Sequence, residues 1–155
     1  MKKLLFVFAL IGLSAVAGAQ VSSNALGARL YGGDAYSGAE LSYQKGLNDR
    51  NRLELDASFG FSNDFTRVAL VGIYRWDWNI VGGFNWYVGP GATIAYDNFS
   101  DNTYVNVGVG GQIGIEYKFR DLPLLVSLDS RPIWDFLGDV NGLGWGAALG
   151  IRFTW

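Results

Sequence analysis

Residues 105–119 read VNVGVGGQIGIEYKF, and two kinds of side chain alternate along this stretch. Valine, isoleucine, tyrosine and phenylalanine occupy the odd positions except Gly111, whereas polar residues and glycine occupy the even positions. A period of two is typical of a β-strand whose two faces lie in different environments. The same alternation recurs in residues 52–61 and 143–155. The sequence therefore predicts an all-β protein.

Clusters of Gly, Asn, Asp and Pro separate the alternating stretches and predict seven turns, one of them at residues 77–79. Most of the intervening stretches are long enough to cross a membrane at a tilt, which takes about 9–11 residues. Proline cannot donate a ladder hydrogen bond, so Gly89-Pro90-Gly91 predicts a bulge or kink. The predicted fold is an eight-stranded antiparallel up-and-down transmembrane β-barrel with strands near residues 25–32, 36–45, 52–61, 66–76, 81–96, 104–119, 124–133 and 143–155.

The first residues have the pattern of an export signal. Met1-Lys2-Lys3 is positively charged, the apolar run Leu4–Leu13 follows, and Ala17-Gly18-Ala19 fits a cleavage site. We therefore predict a removed signal peptide at residues 1–19 and one barrel domain at residues 20–155. Without Lys2 and Lys3 the chain keeps ten basic residues against fourteen acidic ones, which argues against nucleic acid as a partner.

The aromatic residues indicate which barrel face points outward. An eight-stranded barrel is too narrow inside for so many large rings, whereas glycine and small polar residues fit there. A soluble, lipocalin-like barrel is the alternative, but it would expose the glycine-rich face to water. Aromatic residues at the strand ends match the two interfaces of a bilayer. The predicted interface girdle consists of Tyr43, Tyr74, Trp76, Trp78, Phe84, Trp86, Tyr117, Phe119, Trp145, Phe153 and Trp155.

Charged residues on the opposite phase are the candidate functional site. We predict a lumen charge network of Arg29, Glu40, Glu54, Asp56, Arg67, Arg75, Asp77, Glu116, Lys118, Asp129, Arg131 and Arg152. Acids and bases are balanced, as expected if they neutralise one another as a plug in a narrow lumen. A gated conduit and a buried catalytic acid are the alternatives.

The composition disfavours several kinds of chemistry. The chain has no histidine and no cysteine, so it lacks the commonest general base, thiolate catalysis and disulfides. We predict no catalytic residue, no metal site and no cofactor. The loops at residues 97–103 and 134–142 are acidic and partly apolar, which suits either a surface ligand or ordinary solvated loops.

The exported start, the eight alternating segments and the final residues GAALGIRFTW resemble the small outer-membrane β-barrels of the OmpA/OmpX type. The end resembles that family's insertion signal, with Trp155 in place of the usual phenylalanine. The resemblance implies the outer membrane of a Gram-negative envelope, contact with its lipid and lipopolysaccharide, and insertion by the outer-membrane assembly machinery. The implied role is a structural or surface-interacting envelope protein. A small pore or transport component is one alternative, and a lipid-modifying enzyme is another.

Overall fold

The computed structural model describes residues 23–34, 36–63, 65–99, 102–136 and 142–155, so the predicted signal peptide lies outside the described residues. The described residues form ten strand segments: β1 (Asn24–Gly33), β2 (Ser37–Gly46), β3 (Asn51–Phe61), β4 (Phe65–Val81), β5 (Phe84–Phe99), β6 (Thr103–Lys118), β7 (Leu124–Ser130), β8 (Ile133–Asp135), β9 (Gly142–Gly144) and β10 (Gly146–Thr154). No helix in this part of the chain is long and apolar enough to cross a membrane.

These segments close into an eight-stranded antiparallel barrel. β8 continues β7 beyond Arg131 and Pro132, and β10 continues β9 beyond Trp145. Each barrel strand pairs with its chain neighbours, and β10 pairs with β1 to close the ring. The predicted fold class is confirmed in strand number, order and closure.

The strands are staggered around the barrel. When the register is followed once around the ring from Arg152, it returns to the same strand at Gly142, ten residues away. Such a stagger requires tilted strands. Residues far apart in the chain are therefore brought to one height of the lumen.

The hairpin between β4 and β5 differs from the sequence prediction. The turn expected at residues 77–79 is wrong, because β4 continues to Val81 and the chain reverses at Gly82, whose φ is 56°, and Gly83. The Asp77 side chain is buried in the lumen rather than exposed in a turn. The rings of Trp78 and Trp86 stack across β4 and β5 with their centres 4.5 Å apart. The ladder shifts register between Asn79 and Val81. At residues 89–91, where the sequence predicts a bulge or kink, the register is kept, but Gly89 and Pro90 have no ladder partner in β4.

Burial is inverted relative to a water-soluble protein. Arg29, Glu54 and Arg75 are buried inside, whereas Leu30 and Phe153 are 65% and 54% exposed outside. The buried face is polar in every long strand, with a minority of apolar residues such as Ile73 and Leu125. The barrel interior is therefore a polar core, and its outer surface is apolar.

The two ends of the barrel hold different connections. One end, called the terminus end below, holds residues 23 and 155 and the turns at 47–50, 82–83 and 119–123. The opposite, loop end holds the connections at 34–36, 62–64, 100–102 and 136–141. Every connection is short, so the strands account for most of the molecule.

Candidate functional site: the charged lumen

Glu54 lies at the centre of the lumen and is fully buried. Its Oε2 atom is 2.8 Å from Nη1 of Arg75. Its Oε1 atom is 3.2 Å from Nη2 of Arg131 and 3.4 Å from Nη2 of Arg152. Two amides complete its surroundings, because Gln44 donates to Oε2 at 2.6 Å and Gln112 donates to Oε1 at 3.1 Å. Both oxygens of this carboxylate are thereby engaged by groups from five other strand segments or connections.

Arg29 and Arg131 form the loop-end side of the network. Arg29 pairs with Glu40 and Asp129 and lies 3.0 Å from Asp56. Arg131 reaches Glu40 at 3.1 Å and Asp56 at 2.5 Å. The two guanidinium groups share carboxylates contributed by β2 and β3, and Arg29 also pairs with Asp129 of β7, so together they connect opposite sides of the barrel.

Arg75 connects this network to the terminus-end side. Its guanidinium pairs with Asp77, lies 2.7 Å from Glu116 and sits 3.5 Å above the ring of Tyr87. The Tyr87 hydroxyl donates to Asp129 at 2.8 Å, so one aromatic side chain links an arginine to a distant carboxylate. This is a cation–π contact in a desolvated setting, where such contacts are strongest.

Arg52 and Arg152 complete the central network. Arg52 lies 3.3 Å from Glu116 and donates to Gln44 at 2.6 Å. Arg152, two residues before the end of β10, donates to Ser42 at 2.9 Å and to Ser127 at 2.8 Å. Five arginines thus meet six carboxylates: Arg29, Arg52, Arg75, Arg131 and Arg152 with Glu40, Glu54, Asp56, Asp77, Glu116 and Asp129.

A separate triad lies nearer the loop end. Arg67 is 2.9 Å from Asp135 and 3.6 Å from Asp97, and its guanidinium lies 5.1 Å from the ring centre of Tyr36. Arg67 and Asp97 are 1% exposed, so this charge group is also withdrawn from solvent. It joins β4, β5 and β8 where the chain begins its loops.

The structure brings together ten of the twelve charged residues predicted for the network, and it places Arg67 in the separate triad. Lys118 is placed differently: it is half-buried, lines the mouth of the barrel at the terminus end and forms no ion pair within the described residues. Its side chain has the lumen phase, but β6 ends there and the chain turns outward.

Sequence reasoning missed several lumen residues. Arg52 shares the phase of Glu54 and Asp56, which could have identified it. Tyr87 shares the phase of Asn85, but an aromatic residue in a barrel strand is expected to face outward. Gln44 and Gln112 share the phase of Glu40 and Glu116, which could have identified them, whereas Asp97 and Asp135 lie in stretches predicted as loops.

Two spaces adjoin the network. A cavity of about 230 Å³ lies on the loop-end side, between Tyr31, Tyr36, Ile133 and Leu143, with Arg131 among its lining residues. An open mouth of about 780 Å³ lies at the terminus end and includes Lys118, Thr154 and Trp155. Among the described residues, no group of three acidic side chains is arranged to hold a metal ion.

The predicted girdle residues lie on the outside of the barrel. Tyr74, Trp76, Tyr117, Trp145, Phe153 and Trp155 are exposed, and Tyr43, Trp78, Phe84, Trp86 and Phe119 are half-buried. Edge-on contacts join Tyr74 to Trp76 at 5.4 Å and Tyr117 to Phe119 at 4.9 Å. Trp145 belongs to the loop end, and the other ten belong to the terminus end.

The fold is similar to that of solved outer-membrane barrels. Neisserial surface protein A matches with a TM-score of 0.70 and 14% identity over 85% of this chain and 96% of that chain. The N-terminal barrel domain of Pseudomonas aeruginosa OprF matches with a TM-score of 0.62 and 17% identity over 87% of this chain and all of that one. Ail, the attachment invasion locus protein of Yersinia pestis, matches with a TM-score of 0.53 and 12% identity over 86% of this chain and 97% of that chain.

The protein therefore has the fold of the small eight-stranded outer-membrane β-barrels, as the sequence resemblance predicts. No protein-family model matches the chain, and no curated protein matches it either. At these identities the likeness concerns the fold alone.

Proposed function

We propose that this protein is a non-enzymatic integral outer-membrane β-barrel whose lumen is closed by its ion-pair network, with a structural or surface-interaction role in the envelope. The observation that carries the proposal is the position of Glu54. Four arginines and two amides converge on this one buried carboxylate from around the barrel. Side chains joined in this way occupy the space that a water column would need.

The outer surface supports placement in a membrane. Exposed leucine, valine and isoleucine side chains cover the middle of the barrel, and aromatic residues lie at both ends. An exposed apolar surface of this extent is rare on soluble monomers. A closed barrel also satisfies its backbone hydrogen bonds internally, as a hydrocarbon environment requires. Export through the predicted signal peptide, insertion by the assembly machinery and contact with lipopolysaccharide remain part of this proposal.

The energetics of buried charges support a closed lumen. Separating a buried ion pair leaves an uncompensated charge, which costs about 3–5 kcal/mol. Opening a path past Glu54 would separate several pairs together. The ground state of the barrel is therefore expected to be non-conducting.

The surface role is the less specific part of the proposal. Two of the similar structures are named as a surface protein and an attachment invasion locus protein, which suits a role at the cell surface. In this chain the candidate surfaces are the loops at 97–103 and 134–142, of which residues 100–101 and 137–141 lie outside the described part. The shortness of all the connections favours a structural role over an extensive ligand surface.

Planar-bilayer recording tests the closed lumen. The refolded protein should show a heat-dependent shift in gel mobility, which reports a folded barrel, and should produce no conductance steps above the lipid background. A porin reconstituted in the same way controls for insertion. Stable steps from the folded barrel would contradict the plug and favour a small pore, for which the spaces on both sides of the network are the supporting observation.

Lipid analysis tests the non-enzymatic part. Cells with and without the protein should show the same lipid A and phospholipid acyl patterns. A shifted pattern that depends on the barrel would contradict the proposal and identify a lipid-modifying activity. Recovery of the protein in the soluble periplasmic fraction would contradict the membrane placement itself.

A further inference from the structure

The two ends of the barrel differ in the sign of their charge. Of the basic residues in the described chain, those that take no part in the buried charge groups of the lumen are Lys45, Arg50, Lys118 and Arg120. All four lie at the terminus end, where Lys45, Arg50 and Arg120 are exposed and Lys118 is half-buried. Every other described arginine is one of the lumen residues given above. The four residues are called the basic rim below.

Among the described residues, no lysine or arginine outside the buried charge groups lies at the loop end. In the sequence, its connections contain Asp34, Asp64, Asp101 and Asp139 and no lysine or arginine. The terminus-end connections contain Asp49 and Asp121 against Arg50 and Arg120, and the adjoining strand ends add Lys45 and Lys118. The terminus end therefore has a positive balance, whereas the connections of the loop end are purely acidic.

The basic rim lies directly beyond an aromatic belt. Lys45 follows Tyr43 on the outer face of β2 and is the register partner of Leu53. Arg120 follows Phe119, and its guanidinium lies against the β4–β5 turn. Its Nη2 atom is 3.3 Å from the position that a Cβ of Gly82 would occupy. Rings at the depth of the lipid interface followed by long basic side chains are the order in which a bilayer presents its apolar and headgroup layers.

We infer that the basic rim docks the headgroups of anionic phospholipids in the leaflet at the terminus end. This inference rests on the proposed membrane placement. Phosphate oxygens are acceptors for lysine and arginine, and arginine can bind a phosphate through two hydrogen bonds. Each basic residue near an anionic lipid surface adds attraction that salt screens. The partner is a phospholipid because the charges come from two separate hairpins at one end of the barrel, β2–β3 and β6–β7, which suits a lipid surface; Lys118 and Arg120 also line the mouth at that end.

Spin-label electron paramagnetic resonance measures this selectivity in the intact barrel. The protein is refolded into phosphatidylcholine vesicles, and the association of spin-labelled phosphatidylglycerol is compared with that of spin-labelled phosphatidylcholine. We expect a preference for phosphatidylglycerol that weakens as salt is raised. The variant Lys45→Gln/Lys118→Gln/Arg120→Gln should reduce this preference by about fivefold or more.

A charge change of opposite sign at the same end provides the matched control. Asp49 and Asp121 are exposed in the same turns, so Asp49→Asn/Asp121→Asn should strengthen the preference for phosphatidylglycerol. Damage to folding would weaken the preference for phosphatidylglycerol in both variants. Electrostatic docking instead predicts a weaker preference when basic residues are removed and a stronger one when acidic residues are removed. Equal association of both lipids with the wild-type barrel would contradict the basic rim.

The same samples separate this inference from the proposal on which it rests. Insertion is read independently from the heat-dependent gel shift and from protection against protease in the vesicles. Insertion without lipid selectivity overturns the basic rim and leaves the membrane barrel standing. Failure to insert into neutral and into anionic vesicles contradicts both. Selectivity for labelled lipid A phosphate without selectivity for phosphatidylglycerol would also overturn the phospholipid assignment.

Discussion

At the scale of single residues, Glu54 shows how a charge can be buried in a membrane-type barrel. Its carboxylate would be costly to desolvate alone, but four arginines and two amides surround it. Arg152 depends on Glu54 in turn, since it has no other ion-pair partner among the described carboxylates. The stability of the lumen is therefore expected to depend strongly on this residue.

Glu54→Gln should destabilise the barrel by about 3–5 kcal/mol, because it leaves buried guanidinium groups without their shared counter-charge. Urea unfolding of the protein in detergent micelles, followed by tryptophan fluorescence, gives the change in the free energy of unfolding. Asp49→Asn is the control, and its effect should stay within about 0.5 kcal/mol because Asp49 is exposed. Equal unfolding midpoints for Glu54→Gln and the wild type would contradict the central role of Glu54.

Tyr87 allows its hydroxyl and its ring to be tested separately. Tyr87→Phe removes the hydrogen bond to Asp129 and should cost about 1–2 kcal/mol. Tyr87→Leu also removes the ring beneath Arg75 and should cost about 1–2 kcal/mol more. The same unfolding measurement ranks the variants, and an identical cost for both would show that the ring does not stabilise Arg75.

At the scale of elements, the seam between β1 and β10 decides whether the barrel closes. Nine register pairs join these strands, from Ala25 with Thr154 to Gly33 with Gly146. Among the glycines of the seam, Gly27 has the least room for a side chain, because an added Cβ would overlap the carbonyl oxygen of Ile151. Backbone atoms cannot rotate away as a side chain can, so a larger residue there would force the two strands apart.

Gly27→Ala should therefore impair closure, with a cost of about 1–3 kcal/mol for overpacking. Gly32→Ala in the same strand is the matched control, because its added Cβ would meet only the Ser37 hydroxyl oxygen at 3.6 Å. The readout is the fraction of protein that shows the heat-dependent gel shift after refolding. A normal folded fraction for Gly27→Ala would contradict the tight seam.

At the scale of the whole molecule, the outer surface has an aromatic zone at each end. All six tryptophans lie in these zones, with Trp76, Trp78, Trp86 and Trp155 at the terminus end and Trp134 and Trp145 at the loop end. The exposed residues between them are aliphatic, such as Leu41 and Ile151. In the proposed membrane placement, the two zones are expected at the two interfaces of the bilayer.

Brominated lipids test this placement by quenching tryptophan fluorescence. Bromine near the headgroups should quench the barrel more strongly than bromine near the bilayer centre, because the rings sit at the interfaces. Trp134→Phe/Trp145→Phe leaves only the terminus-end tryptophans and should keep the same depth dependence. Strongest quenching from the bilayer centre would contradict the two interface zones.

The sequence by itself determined the fold class, the number and order of the strands and the side of each strand that faces the lumen. It did so because a period of two is a local property, readable within a single stretch such as 105–119. The prediction failed at residues 77–79, because the same polar residue types occur in turns and on a lumen-facing strand.

Only the tertiary structure decided which charges meet. The contacts of Glu54 with Arg75, Arg131 and Arg152 depend on the ten-residue stagger of the closed ring, and no local pattern carries that offset. The same offset left Lys118 at the mouth and set the ring of Tyr87 against Arg75. Alternation assigns each side chain to a face, but its partners depend on the height at which tilted strands bring residues together.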